Sequence, residues 1–181
     1  MSEPEAPARS QVRAQVLQRV VRTLAVSIWL GGLTTLGTNV APLIFRNVPA
    51  PTSADAMTLV FLRFDRFAIV CGLMLLAVEI AWAASVKASR AFVASRLAIV
   101  VVAVIVRLVE AVWLAPGIAS LHRHGAVRGL GELGASLERL HRLAEGTGKL
   151  EAGLLVLFVV LVAWWESRPA NTTPPQTAPI G

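Results

Sequence analysis

Residues 29–45 read Trp29-LGGLTTLGTNVAPLI-Phe45, and this stretch decides the fold. It lies inside a run from Thr23 to Phe45, 23 residues without one charge. About 20 apolar residues suffice to cross the hydrocarbon core of a bilayer as a helix. The run is too long and too uniformly apolar for a buried helix in a small soluble domain. Inside it, Ser27, Gly31, Thr35 and Asn39 recur at every fourth position and so share one helical face. Small and hydroxyl residues in such a stripe let a second helix approach closely and hydrogen-bond across. The stripe is therefore expected to be the wall against which the other spans pack. Pro42 falls near the far end of the helix, where a missing N–H costs less.

Working outward, three more apolar runs follow. The sequence predicts an all-α integral membrane four-helix bundle, with spans at about 20–45, 67–86, 94–121 and 147–166. Interfacial helical extensions are expected on the first, second and fourth spans. Residues 1–9 and the Pro- and Thr-rich tail 167–181 are expected to be disordered, and 10–166 to form one domain. Ser10 is a candidate N-cap for the first helix and Ser53 for the second, with Asp55 in the first turn. Pro49 and Pro51 force a turn between them. Pro116-Gly117 should loosen the end of the third span. Leu130, Leu133, Leu137, Leu140 and Leu143 recur at three- or four-residue spacing, as in an amphipathic helix leading into the fourth span. Gly146 and Gly148 are expected to bend that junction. Trp164 and Trp165 sit where an interfacial aromatic belt belongs.

Composition supports this class. Of 181 residues, 55% are hydrophobic and 15% charged, against about 25% charged in soluble domains. The net charge is +6, but the basic residues flank apolar runs. Anionic lipid headgroups, not nucleic acid, are the expected partner. The cationic side chains are almost all Arg, as in a GC-rich bacterial gene. Cys71 is alone and lies within an apolar run, so no disulfide framework is implied. The first apolar run lacks a small-x-small cleavage site, so it reads as an anchor and not as a signal peptide. Four spans put both termini on one side. Lys87, Arg90 and Arg96 in a short acid-free loop, and the Arg residues before the first span, assign that side to the cytoplasm of an inner membrane.

Trp29-Leu30-Gly31-Gly32, Ala41-Pro42 and Phe45 resemble the opening signature of the TMEM205-like (DUF4149) family of small membrane proteins. Pro116 with Ile118 and Leu121, and Leu140-His141, extend the resemblance across about residues 22–165. What it implies is a four-helix transmembrane fold. It implies no particular chemistry.

The residues with chemical potential are charges inside the apolar runs. Arg107 and Glu110 are three apart and share a helical face. A charge at the bilayer centre costs about 2.5–3.5 kcal/mol on insertion scales, so neither should face lipid. Glu79 in the second span is the expected third member. Counting from a turn centred near Ala91, Glu79 is 12 residues away and Arg107 is 16. That offset is about 6 Å of helix, within reach of an arginine. The expectation is Arg107 between Glu79 and Glu110, with one acid holding a proton, and with Asn39 on the wall beside them. The trio serves either as a clamp fixing helix register or as a proton or cation site.

His141 has Glu138 and Glu145 on its own face, a set that could ligate a metal, although metal sites usually need three or four well-placed donors. No nucleophile constellation, phosphate loop or strand pattern is present, so an enzyme is not expected and no cofactor is required. Three readings follow: a small transporter or proton/cation-binding module using Glu79, Arg107 and Glu110; a membrane scaffold that pairs with a second copy or a membrane-protein partner; and a haem- or metal-binding protein using His141.

Overall fold

The computed structural model describes residues 6–49, 52–86 and 88–168, with side chains from residue 11 onward. The chain forms α1 (Ala6–Thr35), α2 (Ala41–Asn47), α3 (Thr52–Ser85), α4 (Arg90–Val109), α5 (Ala115–Arg123) and α6 (Gly131–Glu166). There is no strand among the described residues. π-Helical turns at Leu36–Val40 and Glu110–Leu114 join α1 to α2 and α4 to α5. The six helices therefore make four rods, each long and apolar enough to cross a membrane. The protein is a multi-pass membrane protein.

The two joints have one cause. Pro42 and Pro116 each occupy the first turn of the helix after the joint. Proline has no N–H for the carbonyl four residues back, and its ring crowds that carbonyl. The preceding turn widens instead: the Ala41 N–H bonds Leu36 O, and the Ala115 N–H bonds Glu110 O. The loosening expected at Pro116 thus takes the form of a π turn, one that begins at Glu110. Such turns gather at functional sites.

The rods form a square. α1 and α4 stand at opposite corners, and each contacts both α3 and α6. A short turn capped by Ser89, which accepts from the Phe92 N–H, makes α3 and α4 antiparallel neighbours. α5 is closed off just past its end by Gly125, with φ 75°, and the Ala126 N–H returns to Leu121 O. That closure leaves α6 room to run back along α4.

The core sits where the four rods meet: Ala25, Val26 and Trp29 of α1, Ala68, Cys71 and Leu75 of α3, Val100, Ala103 and Val104 of α4, Leu155 and Phe158 of α6. Lipid tails are as apolar as leucine, so close packing is the main attraction between such helices. Gly72 permits it. A Cβ there would lie 2.9 Å from Val104 and 3.0 Å from Trp29.

Several expectations change. α1 starts at Ala6, so Ser10 is not its cap, and Ser53 lies within α3. The last helix runs unbroken through Gly146 and Gly148. The Ser27, Gly31, Thr35 and Asn39 stripe does not face the bundle. All four residues are exposed, and nothing lies within 4 Å of a Cβ built on Gly31. The packed face of α1 is instead Arg22, Ala25, Val26 and Trp29. Trp29 fills the volume between the rods, so the larger apolar surface wins the inside. Residues 1–5 and 169–181, on which most of the expected terminal disorder falls, lie outside the described residues.

Candidate functional site

Each buried charge lies on the same helical stripe as its rod's core residues. On α3 that stripe is Asp65, Ala68, Gly72, Leu75 and Glu79; on α4 it is Arg96, Val100, Ala103, Val104 and Arg107; on α6 it is Glu151, Leu155 and Phe158. The charges therefore meet inside the bundle, in two groups separated by the apolar core.

The first group surrounds Arg107. Its Nε donates to Glu151 Oε1 at 2.9 Å, and its Nη2 donates to Glu151 Oε2. This is the two-pronged pairing for which a guanidinium and a carboxylate are matched. The third nitrogen, Nη1, meets two further acids: Asp65 Oδ1 at 2.6 Å and Glu110 Oε2 at 2.9 Å. Glu151 Oε1 also accepts from Trp29 Nε1 at 2.6 Å. The Thr147 hydroxyl bonds Glu110 Oε1. Phe64 lays its ring 5.4 Å from the Arg107 guanidinium carbon. α1, α3, α4 and α6 all contribute, so the site exists only in the assembled bundle.

Formal charge does not balance here. Three carboxyl groups surround one guanidinium, and Arg107, Asp65 and Glu151 are each at most 5% exposed. Both oxygens of Glu151 are taken up as acceptors, from Arg107 and Trp29. Asp65 and Glu110 share one nitrogen, which leaves them as neighbouring acids with a single partner. Like charges so placed disfavour joint ionisation.

The second group lies toward the α3–α4 turn and the C-terminal end of α6. Arg22 Nε donates to Glu79 Oε1 at 2.6 Å. Arg96 Nη2 lies 2.6 Å from Glu79 Oε2, though out of line for a hydrogen bond. The Arg96 guanidinium stacks 3.8 Å over Trp82. Phe92 stacks on Trp165, with Trp164 beside it.

The structure thus joins Arg107 to Glu110 as expected and separates Glu79 from both. Glu79 belongs to Arg22 and Arg96, an arrangement that corrects the expected trio. The cause is the position of the α3–α4 turn. Glu79 and Arg96 lie symmetrically about residues 87 and 88, not about Ala91. An error of three or four residues at a hairpin tip doubles along the opposing rod, and it brings Asp65 opposite Arg107. Asn39 is also outside the site. It is exposed and donates to Thr38 Oγ1 at 3.1 Å. Asp65, Glu151, Arg22 and Arg96 were missed, although each falls in phase with the apolar residues of its own rod, and that phase is the signal that finds them.

The proposed metal face does not assemble. Glu138 pairs with Arg128 and Arg142, and Glu145 with Lys149. The Glu138 bond pushes the Arg128 guanidinium up. His141 is half-buried with its ring 6.0 Å from that of His122. Among the described residues no three His, Cys, Asp or Glu side chains are placed to hold a metal ion. Of the signature residues, Trp29 reaches the charged site, Gly32 packs under Phe64, and Pro42 and Pro116 follow the two π turns. Ala41 opens α2, while Gly31 and Phe45 face outward.

Fold and site together define a four-span helical membrane protein with ion-paired charges buried between its rods. The chain belongs to the family described as Domain of unknown function (DUF4149), whose model matches residues 24–126. No curated protein and no solved structure matches it.

Proposed function

We propose that the protein is a proton-binding module of the membrane, a small transporter and not a catalyst, with Glu110 as the group that takes up and releases the proton. The observation that carries this reading is the Thr147 hydroxyl. It stands within reach of Glu110 Oε1 and of two carbonyls, Leu143 O at 3.0 Å and Ala144 O at 3.1 Å. A hydroxyl has one proton to give and lone pairs to accept with. When Glu110 is ionised, Thr147 donates to it. When Glu110 is protonated, Thr147 donates to a carbonyl and accepts from the acid. Either state is satisfied without moving the backbone. The surplus of acids around Arg107 supplies the affinity, and Glu151 remains the fixed counterion. The π turn that begins at Glu110 sets the acid in the less regular part of its rod.

A proton is favoured over a metal ion because Arg107 occupies the space between the three carboxyl groups. Both termini are assigned to the cytoplasmic side of an inner membrane. The closeness of Arg22 to Glu166, 3.7 Å, supports their sharing one side, and the arginines before the first span support which side.

The test is reconstitution into vesicles containing a pH-sensitive dye, with an imposed potassium diffusion potential. Wild-type protein is expected to carry protons, and Glu110→Gln to stop them while retaining the helical content of the native fold. Flux unaltered in Glu110→Gln would remove that residue from the mechanism. No flux from wild-type protein would remove transport.

A further inference from the structure

The ion cluster at the other end of the bundle plays no part in the proton reading and has an imbalance of the opposite sign. Arg22 and Arg96 share the single carboxylate of Glu79, and all three are nearly or fully buried. The next charges outward are Arg19 and Glu166, whose side chains are 69% and 41% exposed. Among the described residues joined by these ion pairs, three guanidinium groups therefore face two carboxylates, which leaves one positive charge over. Hydrogen-bond donors are also left over. Arg22 Nη2 and Arg96 Nε and Nη2 are buried with no hydrogen-bond partner, against one such acceptor, Glu79 Oε2. Unpaired donors on a buried cation are costly and need an explanation.

The two arginines are not equivalent. Arg96 is enclosed by Trp82, Phe92 and Phe158, which fix it as an inner charge. Arg22 is the outer one. Its Nη1 lies 3.7 Å from Glu166, and Arg19 Nε lies 3.7 Å from the same oxygen. Both distances are too long for hydrogen bonds. Glu166 thus stands near two guanidinium groups without bonding either. The level is set by Trp82, Trp164 and Trp165, indoles of the kind that settle at headgroup depth.

We propose that Arg22 and Arg19 bind a phosphate oxyanion at this end of the bundle. One negative charge matches the surplus. Two free phosphate oxygens match the unused Arg22 Nη2 and the exposed Arg19 fork, since arginine pairs with phosphate in two-pronged geometry. The same chemistry is available from a phospholipid headgroup and from free phosphate.

The experiment uses full-length protein delipidated in a neutral detergent. Phosphatidylglycerol and inorganic phosphate are added separately, and binding is read by native mass spectrometry and by the rise in melting temperature. Arg22→Gln leaves Arg96 and Glu79 as a neutral pair, so the fold is expected to survive. Phosphate binding should weaken about tenfold or more, the loss of one charge-assisted hydrogen bond. Arg19→Gln, at an exposed position, reports on the same site if the first variant fails to fold, and it should weaken binding in the same sense. Arg46→Gln, exposed on α2, should leave it unchanged. Retention of phosphatidylglycerol alone assigns the site to a headgroup, and stabilisation by inorganic phosphate as well assigns it to the free anion. Either supports the proposal. Binding of neither, or equal binding by wild type, Arg22→Gln and Arg19→Gln, overturns it.

Discussion

Replacing Glu151 by Gln gives the sharpest test of how the Arg107 site is held. The substitution preserves shape and removes one charge. In the native site Glu151 accepts three hydrogen bonds, two from Arg107 and one from Trp29. A glutamine retains one acceptor oxygen. Its amide nitrogen then meets a donor of Arg107 or of Trp29, because both carboxylate oxygens were accepting. Removing one partner of a buried ion pair costs about 3–5 kcal/mol. Glu110→Gln is the internal comparison. Glu110 shares Nη1 with Asp65, so every Arg107 nitrogen keeps a carboxylate partner, and the cost should be about 1–2 kcal/mol, near that of a single hydrogen bond. The two variants remove the same charge from the same cluster. A difference of about 2 kcal/mol between them therefore measures geometry and not charge count. The assay is reversible unfolding in mixed micelles by increasing SDS, followed by circular dichroism. If Glu151→Gln proves no more costly than Glu110→Gln, Glu151 is not the principal counterion of Arg107, and the assignment of fixed and exchangeable acids fails.

Three further outcomes are expected. Gly72→Ala places a methyl group against Val104 and Trp29, and should cost about 1–3 kcal/mol in the same unfolding assay, as overpacking does. Gly31→Leu and Thr35→Leu should each change stability by less than about 1 kcal/mol in that assay, because nothing lies within 4 Å of a Cβ at Gly31 and Thr35 is exposed; a loss of several kcal/mol at either position would put the stripe inside. Glu138→Gln, which breaks the pairs with Arg128 and Arg142 outside the bundle core, should leave the SDS-unfolding midpoint and the Arg107 site nearly unchanged.

That the chain is helical, crosses a membrane four times and carries charges unable to face lipid can be read from its residues in order. Those conclusions follow from run length and from the cost of a bare charge in hydrocarbon, both local properties. The Arg107–Glu110 pair was also legible, because three residues on one helix fix a face whatever surrounds it. Which charges meet across rods was decided only by the tertiary structure. A hairpin tip misplaced by a few residues sends Glu79 to Arg107 instead of to Arg96, since register errors double between antiparallel rods. The direction in which α1 faces was likewise decided by packing. Ser27, Gly31, Thr35 and Asn39 and the Arg22–Trp29 face have similar helical spacing, and only the volume of Trp29, together with its bond to Glu151, turns the second inward. Asp65 and Glu151 lay at the ends of polar stretches, where an acid ordinarily reads as solvated. Their burial follows from four rods converging on one arginine, and no single rod encodes that.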